Sequence, residues 1–383
     1  MKILIVHRLI AAFGGAHKYL TGLIDRLAAS GWDIHLAINP NPDIGELVQA
    51  QANKGVQIHP IDYDRLGSAE LGQVMDQLIQ DISPDVIDFE AAAKSLRQLA
   101  LNSNRFKDTT AHKLFTMHLP IVTDRSSLRS WKRHIPLSHA RTGIHERKAF
   151  LKLFDSGLSV SQYHANDINS LVGISQKFFT VIPNGVDIEE FHPPTIRQKD
   201  KNSQIKIISC GGLTKQKRFD LLILAAIQMK QLNFQIEIAG EGVERDKLTQ
   251  QIKQLELSDK VFLKGHIRDI PSFLRTGDIY VVCSDSEGLP YAALEAMATG
   301  LPMVVTRVGE LPYMIRQGIE GLVVNCNDPQ ELSLALLELV NSAHKRKTMG
   351  DACLVRARQD FNAAINWSRV DDKYRDLALN PKN

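Results

Sequence analysis

The chain of 383 residues carries 44% hydrophobic and 23% charged residues and a formal net charge of +3. That length exceeds what one hydrophobic core usually serves, so two domains are expected, and the composition excludes a fibrous or largely disordered chain. The small net charge excludes a nucleic-acid binder of the kind that bulk electrostatics identifies, and no stretch approaches the roughly 18 apolar residues that cross a bilayer, which leaves peripheral membrane contact at most.

The opening MKILIVHRL is an apolar run that His7 and Arg8 cut well short of a signal-peptide core; it reads as the buried first strand of a cytoplasmic protein. Phe13-Gly14-Gly15-Ala16 follows, then a helix near Ala16 to Ser30. Glycines there let the backbone approach a phosphate, and the helix N-terminus adds its own attraction; a plain tight turn explains them equally well. WDIHLAI, VQIHPI and PDVIDF then alternate with helical stretches, the βαβα order of a parallel sheet. Asp62-Tyr63-Asp64 has the Asp-x-Asp form of a metal site, but it stands away from the acidic cluster described below and is expected to be a loop acid pair.

Residues 119 to 152 hold eight Lys or Arg against Asp124 and Glu146, a local net of +6. Leu128, Trp131 and Ile135 recur there at helical spacing beside Arg129, Lys132 and Arg133, until Pro136 stops the run. Such a basic amphipathic segment suits weak contact through 125–148 with an anionic membrane or acceptor; a Trp131 packed in the core with solvated charges is the alternative.

Pro193-Pro194 and a polar, charged run mark a linker at 188–204 between an N-terminal domain of 1–187 and a C-terminal domain of 205–360. Motion about that linker would open and close a cleft. A second alternation begins after Asn202 with QIKIISC, FQIEIAG, KVFLKG, DIYVVCS, PMVVT and GLVV. The cysteines, Cys210, Cys283, Cys326 and Cys353, show no CxxC spacing and fit a reducing compartment. The last segment, about 361–383, looks helical, with Trp367 and Tyr374 as anchors for docking on either domain, the N-terminal one included.

The sharpest signal is SDSEGLPYAALEAMATGLP, directly after DIYVVCS. Glu287 falls in a loop and Glu295 on a helix that starts near Pro290, where a missing N–H costs nothing, and ends at Gly300. This offset brings two carboxylates to the carboxyl edge of the sheet, where hydroxyl-rich ligands are chelated, and turns the N–H groups of Tyr291 and Ala292 toward a phosphate. On spacing alone, a solvated Glu287 and a surface Glu295 stay open. Glycosidase carboxylates flank a glycosidic bond and need not share one loop and helix, so hydrolysis is not favoured.

This stretch resembles the Glu-x7-Glu signature of the family-four retaining glycosyltransferases with the GT-B fold. VIPNGVD (181–187), GGLTKQKRFDLLILA (211–225), IAGEGVERDKL (238–248), KVFLKGHIRDIPSFLRTGDIYVVCS (260–284) and VVTRVGELPYMI (304–315) continue the resemblance in order. It implies an α/β chain of two Rossmann-like, doubly wound parallel-sheet domains facing across a cleft. It also implies transfer of a sugar from a nucleotide sugar, most commonly a UDP-sugar, to a hydroxyl of a glycan, lipid-linked or small-molecule acceptor, with no metal and no further cofactor.

By the resemblance, Glu295 holds the ribose hydroxyls and Glu287, with Gly288 and Leu289 beside it, meets the donor sugar. Lys217 contacts the diphosphate, helped by Gly14, Gly15, Gly212 and the helix N-terminus at Tyr291 and Ala292. His266 and Ile267 meet the base, and His118, after HKLFTM, lies near the transferred sugar. The chemistry agrees, because a departing nucleoside diphosphate develops negative charge that a fixed lysine and a helix dipole stabilise without a metal. The chain departs from the family at Gly212, where an arginine is usual, and Arg218 is the candidate replacement. Pro290 stands where many relatives have glycine, Asp88 and Glu90 replace a histidine pair, and Tyr313 replaces a late acid. These departures also admit a nucleotide-sugar-binding protein that has lost transfer.

Overall fold

A computed structural model of the chain describes residues 1–8, 15–40, 45–90, 93–118, 145–195 and 204–380. They form two compact units. The first takes Met1–Pro183 and Asn366–Asn383; the second takes Asn184–Ile365.

In the first unit, β1 (Lys2–His7), β2 (Asp33–Ile38), β3 (Gln57–Pro60), β4 (Val86–Phe89), β5 (His112–Met117), β6 (Ser156–Ser159) and β7 (Phe179–Val181) pair in parallel in the order β3-β2-β1-β4-β5-β6-β7. The sequence dictates this arrangement: Ile3, Leu4, Ile5 and Val6 of β1 have no exposed surface, and a strand apolar on both faces needs helices over both faces of its sheet. The Gly15–Ala29 helix buries Tyr19, Leu20, Leu23, Ile24 and Leu27, and the Ser68–Ile82 helix buries Leu71, Met75, Ile79 and Ile82, each at helical spacing. Gly157 in β6 has a packing reason, since a Cβ there would lie 2.4 Å from the Phe179 ring of β7.

The second unit repeats the plan with β8 (Ile205–Cys210), β9 (Phe234–Ala239), β10 (Val261–Gly265), β11 (Ile279–Val282), β12 (Met303–Thr306) and β13 (Gly321–Val324), all parallel, in the order β10-β9-β8-β11-β12-β13. Strand order reverses between β1 and β4 in the first sheet and between β8 and β11 in the second. Ligands of open α/β sheets bind beyond the carboxyl ends of strands at such points.

The unit boundary differs from the expected 1–187. The crossing falls after Pro183, because Val186 and Phe191 are buried in the second unit's core, and Val186 exchanges backbone hydrogen bonds with Phe361 and Ala363. Of the expected linker, 196–203 lies outside the described residues. The Ala363–Leu379 helix enters the first unit: a Cβ on Gly22 would lie 2.5 Å from the Trp367 ring, and Asp371 accepts from Ser30 Oγ at 2.8 Å. Among the described residues no helix is long and apolar enough to cross a membrane. Of the basic segment 125–148, residues 125–144 lie outside the description.

Candidate active site

The second unit's switch point is flanked by the residues that follow β8 and β11. After β11 the chain enters the loop 284–290 and then the Tyr291–Ala298 helix. The loop is tied at almost every residue. Thr306 Oγ1 donates to Ser284 O at 2.7 Å, Asp285 N to Gln216 O at 2.8 Å, and Gln216 Nε2 to Ser286 O at 2.6 Å. Glu310 N donates to Gly288 O at 3.3 Å and Asn184 Nδ2 to Leu289 O at 2.9 Å. Gly309 closes this support: its φ is +52°, and a Cβ there would sit 1.9 Å from Glu287 O.

Glu287 and Glu295 are only 7% and 6% exposed, so neither is the solvated surface acid that spacing alone left open. Glu287 Oε1 accepts from Lys217 Nζ at 2.7 Å and from Ser284 Oγ at 2.6 Å. Glu295 is among the buried residues of its helix, and Tyr280 is close enough to both acids to feel their charge. Burial foremost, then Cys210 and the two glutamates, holds the Tyr280 phenol far above its ordinary range. Burial and the nearby Glu295 charge push the Cys210 thiol up to about 12. Cys210 is therefore an inert wall residue, and it is a free thiol like the other three cysteines. Pro290, at the N-cap, offers no side-chain acceptor to the first turn at Tyr291 and Ala292. A small cavity opens here, lined by Cys210, Lys217, Tyr280, Glu287, Pro290 and Ala292.

After β8, Gly211-Gly212 leads into a short turn, Lys215–Lys217, and then the Phe219–Ala226 helix. Arg218 takes the left-handed conformation at φ +50°, a region that glycine enters more readily than a residue with a Cβ. Its guanidinium is fully engaged. Nε and Nη2 donate to Asp220 at 3.0 and 3.1 Å, and Nη1 donates to Asp285 at 3.1 Å and to Asn327. These bonds, Asp220's first, hold its pKa above the usual arginine value. Arg218 is thus a brace neutralised by two aspartates, and the idea that it replaces the arginine missing at Gly212 finds no support in this geometry. His266 and Ile267 follow β10 at the far edge of the same sheet, with Ile267 packed on the core.

In the first unit, Gly15 opens the Gly15–Ala29 helix, whereas Gly14 lies outside the described residues. His118 follows β5, and its Nε2 is 2.9 Å from Glu90 Oε2. Burial lowers its pKa to about 4. Asp62 and Asp64 are occupied as turn and surface partners: Asp62 Oδ1 accepts from Asp64 N and Arg65 N, and Asp64 from Arg8 at 2.7 Å.

Two family models divide the chain between them: "Glycosyltransferase Family 4" matches residues 13–190 and "Glycosyl transferases group 1" matches 193–353. The protein belongs to the group 1 glycosyltransferases. An uncharacterized glycosyltransferase of Methanocaldococcus jannaschii is 29% identical over 216 residues, 56% of either chain. The UDP-Gal:alpha-D-GlcNAc-diphosphoundecaprenol alpha-1,3-galactosyltransferase of Escherichia coli is 28% identical over 214 residues, 52% of this chain and 55% of the relative. The chain thus spans little more than half the length of these curated relatives. HepE of Anabaena, solved in complex with UDP, shares the GT-B fold at a TM-score of 0.78, with 18% identity over 98% of this chain and 100% of that one.

For this group 1 glycosyltransferase, the structure brings Lys217, Glu287, Gly288, Leu289, Tyr291, Ala292 and Glu295 to one sheet edge, with Gly212 just after β8. Ser284, Asp285 and Asn184 were not singled out in the sequence. Ser284 and Asp285 lie inside the acidic motif, where a hydroxyl or second acid so close to Glu287 is the available signal. Asn184 lies in the VIPNGVD string, and nothing local says that its amide will reach Leu289, 105 residues on.

Proposed function

We propose that the protein transfers a sugar from a UDP-sugar to a hydroxyl of a glycan, lipid-linked or small-molecule acceptor, with retention at the anomeric carbon and without a metal. The observation that carries this reading is the burial of Glu287 and Glu295 around the start of one helix, with Lys217 bonded to the first. Burying two carboxylates is costly. A ligand rich in hydroxyls gives that cost a use.

On this reading Glu295 takes the ribose hydroxyls and Glu287 those of the donor sugar, beside Gly288 and Leu289. Lys217 swings to the diphosphate, where the N–H groups of Tyr291 and Ala292 also act. His266 and Ile267 meet the base, and His118 lies by the transferred sugar. As the nucleoside diphosphate departs, charge grows on its oxygens, where a lysine and a helix N-terminus are most effective. The acceptor oxygen attacks from the face that the phosphate leaves, and a phosphate oxygen takes its proton. The naming of a relative for UDP-Gal and the UDP held by HepE support the choice of base. We place this activity in the cytoplasm, with peripheral membrane contact where the acceptor is lipid-linked.

Gly212 in place of arginine, with Arg218 committed to aspartates, favours a second reading, donor binding without transfer. One experiment separates them: the purified protein with UDP-, GDP- and ADP-sugars, with and without EDTA, followed by nucleotide release and thermal stabilisation. Release of UDP that survives EDTA and is lost in Glu295→Ala supports transfer. Stabilisation without release, with acceptors supplied, supports binding alone.

A further inference from the structure

The first unit has its own titratable cluster at its own switch point. His7 ends β1, Glu90 follows β4 and His118 follows β5, on three adjacent strands. Glu90 Oε2 is 2.9 Å from His118 Nε2 and 3.8 Å from His7 Nδ1, so it bonds His118 and leaves His7 beyond hydrogen-bond reach. Both ring nitrogens of His7 are buried without a hydrogen bond. Asp88, two residues before Glu90, accepts from Thr116 Oγ1 at 2.9 Å and from the Tyr374 hydroxyl. Tyr19 packs its ring 4.2 Å from that of His118. The groups facing the cluster are therefore His7, Tyr19, Asp88, His118 and Tyr374, and no lysine or arginine pairs with either acid among the described residues. Two buried carboxyls without a cation keep protons.

We propose that Glu90 is a positioning residue for the transfer reaction: it grips the Nε2 edge of His118, fixes which ring nitrogen carries the proton, and so sets whether Nδ1 gives or accepts a hydrogen bond to a sugar hydroxyl. The inference rests on the glycosyltransferase reading above. With Glu90 protonated, its O–H donates to Nε2 and Nδ1–H faces outward as a donor. With Glu90 ionised, Nε2–H donates to the carboxylate and Nδ1 becomes an acceptor. One proton leaves, and the tautomer inverts. Burial raises Glu90 to about 8, which puts this change just above neutrality.

The test uses the full chain with ¹⁵N-labelled histidine. Long-range proton–nitrogen spectra of His118 are recorded from pH 6 to 9, beside UDP affinity, kcat and KM for the wild type, Glu90→Gln and Glu90→Leu. Wild type should pass from the Nδ1–H to the Nε2–H form across that range. Glu90→Gln should hold one form throughout. Glu90→Leu should lower kcat by about 30-fold with UDP affinity unchanged, the glutamine should recover most of that loss, and the pH profile should flatten. A His118 tautomer that still switches with pH in Glu90→Gln as it does in the wild type, or an unchanged kcat in folded Glu90→Leu, overturns the proposal. The spectra need no turnover, so a wild type that transfers no sugar would defeat the functional reading while leaving the tautomer result to stand or fall separately.

Discussion

Replacing Lys217 by methionine keeps most of its aliphatic stem, which lies against the site wall, and removes only the charge. The lysine side chain is 25% exposed and its Glu287 partner 7%, with 2.7 Å between Nζ and Oε1. An exposed pair is worth about 0–1 kcal/mol, whereas removing one partner of a buried pair costs about 3–5 kcal/mol, mostly through the charge left behind. Ser284 still donates to Glu287 and solvent reaches the lysine side, so the expected cost of Lys217→Met is about 2 kcal/mol of stability in the second unit. Glu287→Gln removes the charge and keeps the shape, and the pair of changes should cost about 1.5 kcal/mol less than the sum of the two singles. The assay is urea unfolding of the four proteins followed by a probe in the second unit, with UDP titration calorimetry on each. UDP affinity should fall by roughly tenfold or more in every protein lacking Lys217, while Glu287→Gln alone should affect the sugar nucleotide more than UDP. Additive stabilities within about 0.5 kcal/mol, or a Lys217→Met protein that binds UDP normally, would refute the claim that this lysine exchanges Glu287 for the diphosphate.

Gly309→Ala drives a Cβ into Glu287 O at a φ of +52°, so the donor kcat/KM should drop by about 100-fold while the unfolding midpoint moves far less; equal loss in both would assign Gly309 to the core alone. Arg218→Ala uncovers Asp220 and Asp285, so UDP binding should weaken and recover when Asp285→Asn is added; a loss that persists in the double variant would mean that Arg218 touches the phosphates itself. The first unit should lose stability at both ends of the pH scale. Above pH 6.5, folded Glu90, lifted by burial to about 8, and Asp88, lifted likewise, keep protons that the unfolded chain has released, so stability falls as pH rises, by up to about 1.4 kcal/mol per pH unit for each retained proton. Below pH 4.5, His7 and His118, lowered by burial to about 3 and 4, refuse protons that the unfolded chain binds, so stability falls again in acid. Chemical unfolding of the first unit across this range checks both limbs, and Glu90→Gln should shrink the alkaline one; an unaltered limb would show that Glu90 is ionised throughout.

Much of the fold was legible because parallel strands covered on both faces read as short unbroken apolar runs, such as KILIVH and DIYVVCS. Two strands escaped: SGLS and FTV are too short and, in SGLS, too polar to stand out, and only their place beside β5 makes them strands. Glu287 and Glu295 were visible as a pair because loop and helix hold them at a fixed offset. What they touch was not visible, since Lys217 reaches Glu287 across 70 positions and Arg218 meets Asn327 across 109. An arginine in a basic turn looks like a free cation until its distant partners are placed. Glu90 likewise stood out only as a departure from a pattern, because its contact with His118 depends on β4 and β5 lying side by side.

The chain leaves the first unit at Pro183 and returns to it at Asn366, which makes the second unit an insertion in the first. Backbone bonds of 2.8 and 3.0 Å tie Val186 to Phe361 and Ala363, so the outgoing and returning stretches run side by side just inside the second unit. A gene fragment for residues 184–365 therefore encodes one uninterrupted unit, whereas a fragment ending at Pro183 leaves Asp88 without Tyr374 and Gly22 without the Trp367 ring. The first unit is best produced with a short bridge joining Pro183 to Asn366, or with residues 366–380 added back as a synthetic peptide, whose rebinding would report directly on how tightly the closing helix holds.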